Sequence, residues 1–330
     1  MKFKKIAALS TAVIMSASML VGCGNNKSKE NTDKSFKIGM VADIGGINDE
    51  SFNQSAWEGL QKAEKDFGIE VKVIESKQAS EYLQNMESLL DEDVDMVIGV
   101  GYTMKEDIEK QAKNYPDKQF VLIDETYDSI PENVTPILFR ENEAAYLTGL
   151  VAGKMTENNN VGFIGGIQTP VISRFEYGYK AGVKEANKDC NVNVQYAGTF
   201  SDAAKGKSIA NQMYGNGSDI ILAAAGGTGL GSIESAKEQN KYAIGVDRDQ
   251  SDLAPKNVLT SALKKVNVGV YDTVKEFIEG KLKGGQEKVY GLKEDGVGIP
   301  ETTKNLVPQE IIDYVNSMIE KIKNDEIKVP

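Results

Sequence analysis

The sequence predicts an α/β protein made of two Rossmann-like lobes, each a parallel sheet covered by helices, joined by a hinge that the chain crosses several times. Three observations carry this. Short apolar runs alternate with longer stretches of helical period, the pattern of a parallel sheet buried on both faces. The alternation runs from about residue 36 to 139 and then begins again near 160. The chain after residue 35 is too long for one average core, and 40% of the whole sequence is hydrophobic, enough to fill two.

The first residues precede the fold. Met1-Lys2-Phe3-Lys4-Lys5 is a cationic start followed by an apolar run over 6–20, the layout of a secretory signal. Ser10, Thr11, Ser16 and Ser18 interrupt the run, which is also shorter than the roughly 20 apolar residues that span a bilayer. Residues 1–22 therefore read as a signal peptide. The run ends in Leu20-Val21-Gly22-Cys23, which resembles the bacterial lipobox. That resemblance implies a diacylglyceryl group on the Cys23 thiol, with cleavage leaving this cysteine first; two or more acyl chains then anchor stably. An ordinary cleavage site beside an incidental cysteine is the alternative. Residues 23–35 are polar and read as a flexible tether. The predicted location is the extracytoplasmic face of a cell membrane.

Strands are predicted at 36–41, 70–74, 95–99, 119–123 and 134–139, with helices at 51–67, 81–90 and 104–114 between them. The second round places strands at 160–165, 193–196, 220–224, 242–246 and 258–263, with helices at 171–186, 207–214 and 230–238. Two further helices, 268–280 and 311–324, do not complete another unit. The chain is therefore expected to recross near Arg140, Lys264 and Leu292, giving lobes of 36–139 plus 265–291 and 140–264 plus 292–330.

Composition excludes several classes of function. A formal charge of -11 opposes nucleic-acid binding, and the absence of histidine rules out a His-dependent triad. Cys190 is the one cysteine left once Cys23 is set aside, so no intramolecular disulfide forms. No cofactor and no metal are expected.

Ligands of open parallel sheets bind beyond the carboxyl ends of the strands. After the first strand comes the loop Asp43-Ile44-Gly45-Gly46-Ile47-Asn48-Asp49-Glu50, which opens a helix. Asp49 suits a helix cap, and Asp43, at the strand end, suits a ligand contact. Phe52 falls at the cleft-facing tip of that helix, or else makes a first-turn hydrophobic contact. Trp57 and Leu60 lie farther along and read as core. The loop lacks G-x-G-x-x-G spacing and carries acids, so it is a poor phosphate cradle.

Residues 43–59, from Asp43 to Gly59, resemble the opening motif of the basic membrane protein family of surface lipoproteins. These are substrate-binding proteins of ABC transporters and include the purine nucleoside receptor A group. Further matching segments follow in order: 139–149, 163–166, 175–182, 200–202, 205–207, 224–229 and 245–250. The resemblance implies a type I periplasmic-binding-protein fold, an interlobe cleft for purine nucleosides such as guanosine, adenosine and inosine, a permease partner, a monomer, and no enzymatic activity.

It also implies roles for individual residues. Phe52 and Phe200 would sandwich the base from opposite lobes, where stacking on an aromatic face is worth roughly 1–3 kcal/mol in comparable nucleic-acid sites. Asp247 and Lys264 would hold the sugar hydroxyls, and strand parity should send one of Lys264 and Lys265 into the cleft. Asp124, with Asn53 and Asp43, would read the base edge. Gly226 and Gly227 would admit the ligand past bare backbone. Plainer readings stay open: a buried strand end for Phe200, a surface ion pair for Asp247 and Lys264, a simple turn for the glycines. Arg248 departs from the pattern as a bulky cation between acids, and Lys205 and Lys207 read as solvated charges. A receptor for a sugar or another small solute, a nucleoside hydrolase using clustered Asp on a metal, and an adhesion or regulatory surface protein are the competing functions.

Overall fold

The computed structural model describes residues 36–330; the predicted signal peptide, the predicted tether and Cys23 lie outside the described residues. The first sheet is built from β1 (Lys37–Ala42), β2 (Glu70–Glu75), β3 (Met96–Val100), β4 (Gln119–Ile123) and β5 (Val134–Phe139), joined late in the chain by β11 (Lys288–Tyr290). Its order is β11-β5-β4-β3-β1-β2, parallel throughout. The second sheet holds β6 (Asn160–Gly165), β7 (Asn191–Tyr196), β8 (Ile220–Ala224), β9 (Tyr242–Asp247) and β10 (Val258–Lys264), closed by β12 (Val297–Gly298). Its order, β12-β10-β9-β8-β6-β7, repeats that of the first, with β12 alone antiparallel. The protein is a two-lobed α/β structure.

Strand parity assigns the core. In the first lobe Ile38, Met40, Met96 and Ile98 face one side, towards helix α1 (Phe52–Phe67) and α8 (Val266–Ile278). Val41, Val97, Phe120 and Leu122 face the other, towards α2 (Tyr82–Asp91) and α3 (Lys105–Asn114). In the second lobe Phe163, Ile220 and Leu222 point towards α4 (Glu141–Met155) and α5 (Pro170–Ala186). Ile164 and Ile221 point towards α6 (Ala203–Gly215) and α7 (Gly227–Gln239). The central strands read as continuous apolar runs because both faces are covered, whereas the edge strands β2 and β7 carry Glu, Lys, Asn and Gln.

Two helices are exchanged between the lobes. α4 follows β5 of the first sheet but packs on α5, and α8 follows β10 of the second sheet but packs on α1. The chain passes between sheets at Arg140, at Lys265 and again between β11 and β12. One apolar cluster, containing Ile137, Phe139, Leu147, Val266 and Leu292, runs through this side of both lobes, so the described residues, 36–330, form one compact unit.

Periodicity reading did not assign α4, and the structure supplies the reason. Twelve of its fifteen residues are buried, leaving no polar face to create a helical period. The short strands β11 and β12 escape for lack of length. α6 begins at Ala203 rather than 207, because Asp202 caps it by accepting from the Lys205 amide at 2.9 Å. Lys205 is exposed, but Lys207 is ion-paired with Glu234 and Glu238 of α7, each at 2.9 Å. Leu60 is fully buried, and Trp57 is half-buried against the core. α9 (Gln309–Lys323) closes the chain against α4.

The α4–α5 contact is a backbone approach through glycines. A Cβ added at Gly182 would stand 2.0 Å from the Tyr146 carbonyl oxygen, and one at Gly149 would stand 2.3 Å from that of Tyr179. Neither neighbour is a flexible side chain that could yield. Gly182→Ala is therefore expected to destabilise the protein by about 1–3 kcal/mol, the usual cost of overpacking. Urea unfolding checks this, and an unchanged midpoint would mean that the helices separate freely.

Candidate functional site

A cleft opens where the carboxyl ends of the two sheets face each other. Asp43, Phe52, Asn53, Asp124, Phe200, Gly226, Asp247 and Lys264 all line it. The first four come from loops and a helix start following β1 and β4, and the others from segments at the ends of β7, β8, β9 and β10.

The loop after β1 is rigid because its side chains cap its own backbone. Asp49 accepts from the amides of Ser51 (2.9 Å), Asn53 (2.9 Å) and Gln54 (3.1 Å), covering the first turn of α1. Asn53 donates to Asp43 Oδ1 at 2.8 Å and to Asp49 Oδ2 at 3.0 Å, while its own carbonyl oxygen accepts from the Asp43 amide at 3.1 Å. Both amide hydrogens of Asn53 thus hold Asp43 and Asp49 in place. Asp43 Oδ1 also accepts from Gly45 N at 2.8 Å, which leaves Oδ2 beside Gly101. Burial pushes the Asp43 carboxyl above its ordinary value, against the opposing hydrogen bonds from Gly45 and Asn53.

Phe200 owes its position to bare backbone. A Cβ at Gly166 would lie 2.2 Å from Phe200 Cε1, so the ring rests directly on that glycine. Gly226, with φ 53° and ψ -137°, occupies a conformation restricted to glycine and lets the backbone after β8 pass Phe200, whose carbonyl accepts from Thr228 N at 3.0 Å. Phe52, the first residue of α1, lies near Gly101, another positive-φ glycine. One half-buried ring from each lobe therefore lines the cavity.

At the polar end Lys264 reaches from the second sheet to Asp124 of the first. The pair is hydrogen-bonded, with side-chain exposures of 2% and 9%. Lys264 Nζ also stands 4.7 Å from the Phe52 ring centre and 5.5 Å from that of Phe139. Lys265 points away, its Nζ 2.8 Å from Asp295. The direct partner of Lys264 is thus Asp124 rather than Asp247, and Asp247 instead accepts from Ser51 Oγ of the other lobe. Asp124 and Asp247 end equivalent strands, and both take positive φ, 73° and 67°. Glu141, fully buried at the start of α4, pairs with Arg174 Nε at 2.7 Å, and its Oε2 finds no hydrogen-bond partner among the described residues.

Burial dominates the electrostatics. Desolvation pushes the Asp247 carboxyl up to about 6, although Lys264 and Ser51 pull it down. Burial likewise raises Glu141, opposed by Lys264 and Arg174. For Lys264 burial acts downward, yet Asp124, Glu141 and Asp247 outweigh it and hold the ammonium above its ordinary value. The cleft floor thus sets the Lys264 ammonium among three carboxylates, of which Glu141 is also paired with Arg174. It suits a neutral ligand rich in N–H and O–H donors.

Arg248, out of place in the sequence pattern, is at the rim. Its guanidinium meets Glu50 Oε2 at 2.7 Å and Glu58 Oε1 at 2.8 Å, both on the opposite lobe. Gly101, Tyr102, Thr169, Ile172 and Phe175 also line the cleft and were not singled out from sequence. The first two follow β3 and so obey the same strand-end rule. Thr169 caps α5, accepting from Ile172 N at 3.3 Å, and the Thr169-Pro170 pair is a helix-start signal that could have drawn attention. Among the described residues no group of His, Cys, Asp and Glu could hold a metal ion, and no helix is long and apolar enough to cross a membrane.

Two like sheets, a three-fold crossing and a cleft lined from both sides define a two-lobed solute-binding protein. The chain belongs to the family described as ABC transporter substrate-binding protein PnrA-like, whose sequence model matches residues 36–330. It is 38% identical to the ABC transporter nucleoside-binding protein BmpA of Lactococcus lactis, over 99% of each chain. It is 39% identical to the CD4+ T-cell-stimulating antigen of Listeria monocytogenes, again over 99% of each. A solved solute-binding protein of an ABC transporter system from Aeropyrum pernix superposes with a TM-score of 0.83 at 27% identity, covering 89% of this chain and 94% of that one.

Lys264→Met would strand buried carboxylates, at an expected cost of about 3–5 kcal/mol at pH 7.5. Because the folded Asp247 pKa, about 6, exceeds its ordinary 3.8, the folded protein holds a proton over that window which the unfolded chain has released. This group's contribution to stability accordingly falls as pH rises from about 4 to about 6. The deficit of Lys264→Met should shrink at pH 5, where the carboxyls take up protons. Equal stability of mutant and parent at pH 7.5 in urea titrations would contradict this account.

Proposed function

We propose that this chain captures purine nucleosides, guanosine, adenosine and inosine, in the interlobe cleft and delivers them to the permease subunits of an ABC transporter. In this reading it acts as a monomer, performs no chemistry on the ligand, and is tethered to the extracytoplasmic face through lipid on Cys23. Its lobes are 36–139 plus 265–291 and 140–264 plus 292–330, and they rotate about the crossings near Arg140, Lys265 and Leu292.

One observation carries the reading: Phe52 and Phe200, from opposite lobes, line the same cavity. A flat base between them ties closure to ligand shape, and closure driven by a ligand requires tighter binding to the closed form. Asp43 Oδ2 and the floor acids accept N–H and O–H donors of base and sugar. Each charged hydrogen bond contributes roughly 1.5–3 kcal/mol. A micromolar receptor needs about 8 kcal/mol in total, which two stacked faces and a few such bonds supply after ordering costs. The Lactococcus relative, an ABC transporter nucleoside-binding protein, supports a nucleoside as ligand.

Calorimetric titration with a panel of purine and pyrimidine nucleosides, free bases and ribose tests the proposal. Phe52→Ala and Asp247→Ala should each weaken purine nucleoside binding at least about tenfold, a loss near 1.4 kcal/mol or more. Binding should also weaken as pH falls through about 6, since Asp247 accepts from the sugar as a carboxylate. Unchanged affinity in both variants, tighter binding of ribose, or hydrolysis of the nucleoside during incubation would each overturn the reading.

A further inference from the structure

The loop after β9 holds the opposite lobe by contacts that lie outside the cleft. Arg248 joins Glu50 and Glu58 through separate nitrogens, at 2.7 and 2.8 Å. Gln250 Nε2 donates to the Glu50 carbonyl at 2.8 Å. Gln250 is itself fixed to its own lobe, its Oε1 accepting from Val246 N at 3.0 Å and its amide donating to Ser261 Oγ at 3.1 Å. Glu58 is steadied by Gln54 Nε2 at 3.3 Å. None of Arg248, Gln250, Glu50 and Glu58 lines the cavity. Glu50 and Glu58 bracket the first turns of α1, with Phe52 between them. The rim contacts thus grip the helix that carries one of the two rings.

We propose that Arg248, with Gln250, is a positioning clasp that seats α1 and Phe52 against the second lobe and thereby sets how fast ligand leaves. The clause on ligand release rests on the nucleoside reading of the cleft; the clasp itself does not. A planar guanidinium suits this task because its fork engages two carboxylates in fixed directions, which a lysine ammonium does not. The side chains of Arg248, Glu50 and Glu58 are 25%, 44% and 38% exposed, so salt screens them and neither pair alone holds the fold together. Their place at the rim makes the effect one of release, since breaking them favours the open form without removing a ligand contact.

The test uses the full chain in detergent micelles. Trp57, the one tryptophan in the sequence, adjoins Glu58 and reports guanosine release in stopped-flow displacement. Arg248→Ala is expected to speed release about tenfold while changing the association rate much less, with Arg248→Lys intermediate. Added salt should speed release from the parent protein and have little effect on Arg248→Ala. In the double variant with Glu58→Gln, release should be no faster than in Arg248→Ala alone. Hydrogen exchange without ligand gives a second readout: amides at 50–58 should exchange faster in Arg248→Ala. Should Arg248→Ala fail to fold, Arg248→Lys and Glu58→Gln carry both measurements. Parental release rates together with parental exchange would overturn the clasp. If the parent protein binds no nucleoside, the functional reading fails and the exchange measurement still decides the clasp.

Discussion

The rest of the cleft depends on one buried charge. Lys264 extends from the second sheet into a space made by Asp124, Asp247 and Glu141, and it is 2% exposed. Taking an ammonium out of water is costly, and only close carboxylates offset the cost. Those carboxylates in turn would not tolerate burial without it: even with Lys264 present, desolvation lifts Asp247 to about 6. The two lobes therefore meet at a point where neither side is electrostatically complete alone. A ligand with several donors can share in that arrangement, whereas an anion would add to a surplus of negative charge.

The two sides of the interlobe region are held by different forces. On the hinge side, exchanged helices α4 and α8 and the apolar cluster through Phe139, Leu147 and Val266 tie the lobes mainly by apolar packing, with a buried hydrogen bond from Leu292 N to Glu143 Oε2 at 2.7 Å beside it. At the mouth the contacts are hydrogen bonds and ion pairs, Arg248 with Glu50 and Glu58, Gln250 with the Glu50 carbonyl. Apolar packing is dense and slow to rearrange, while partly hydrated ion pairs are weak and exchange readily. That division of forces suits a molecule that opens at one side and stays joined at the other. It accords with membership of a family of ABC transporter substrate-binding proteins.

Aromatic placement links this mechanics to recognition. Phe200 lies on Gly166 and beside Gly226, so its ring is set by backbone that cannot accept a side chain. Phe52 is set by a capped helix start, where Asp49 takes three amides of the first turn. The rings belong to different lobes and line one cavity, so on the proposed reading their separation follows closure. Arg248 meets Glu50 and Glu58 beside the same helix from outside the cavity, which on the proposed reading makes the rim part of the recognition apparatus.

Much of this was legible in the chain itself. Alternating apolar runs and helical periods revealed two α/β lobes, because strands buried on both faces and helices buried on one leave those patterns in any order of residues. The strand-end rule pointed to Asp43, since a parallel sheet opens its ligand crevice there, while the resemblance to a family motif supplied roles for Asp124, Asp247 and Lys264. Other features were decided only in three dimensions. α4 is buried all round and has no period to read. The pairing of Lys264 with Asp124, the occupation of both Asn53 hydrogens by neighbouring acids, and the role of Arg248 join residues 140, 4 to 10, and 190 to 198 positions apart. Local sequence records which residues can be buried or charged; which charge meets which depends on how the sheets face each other.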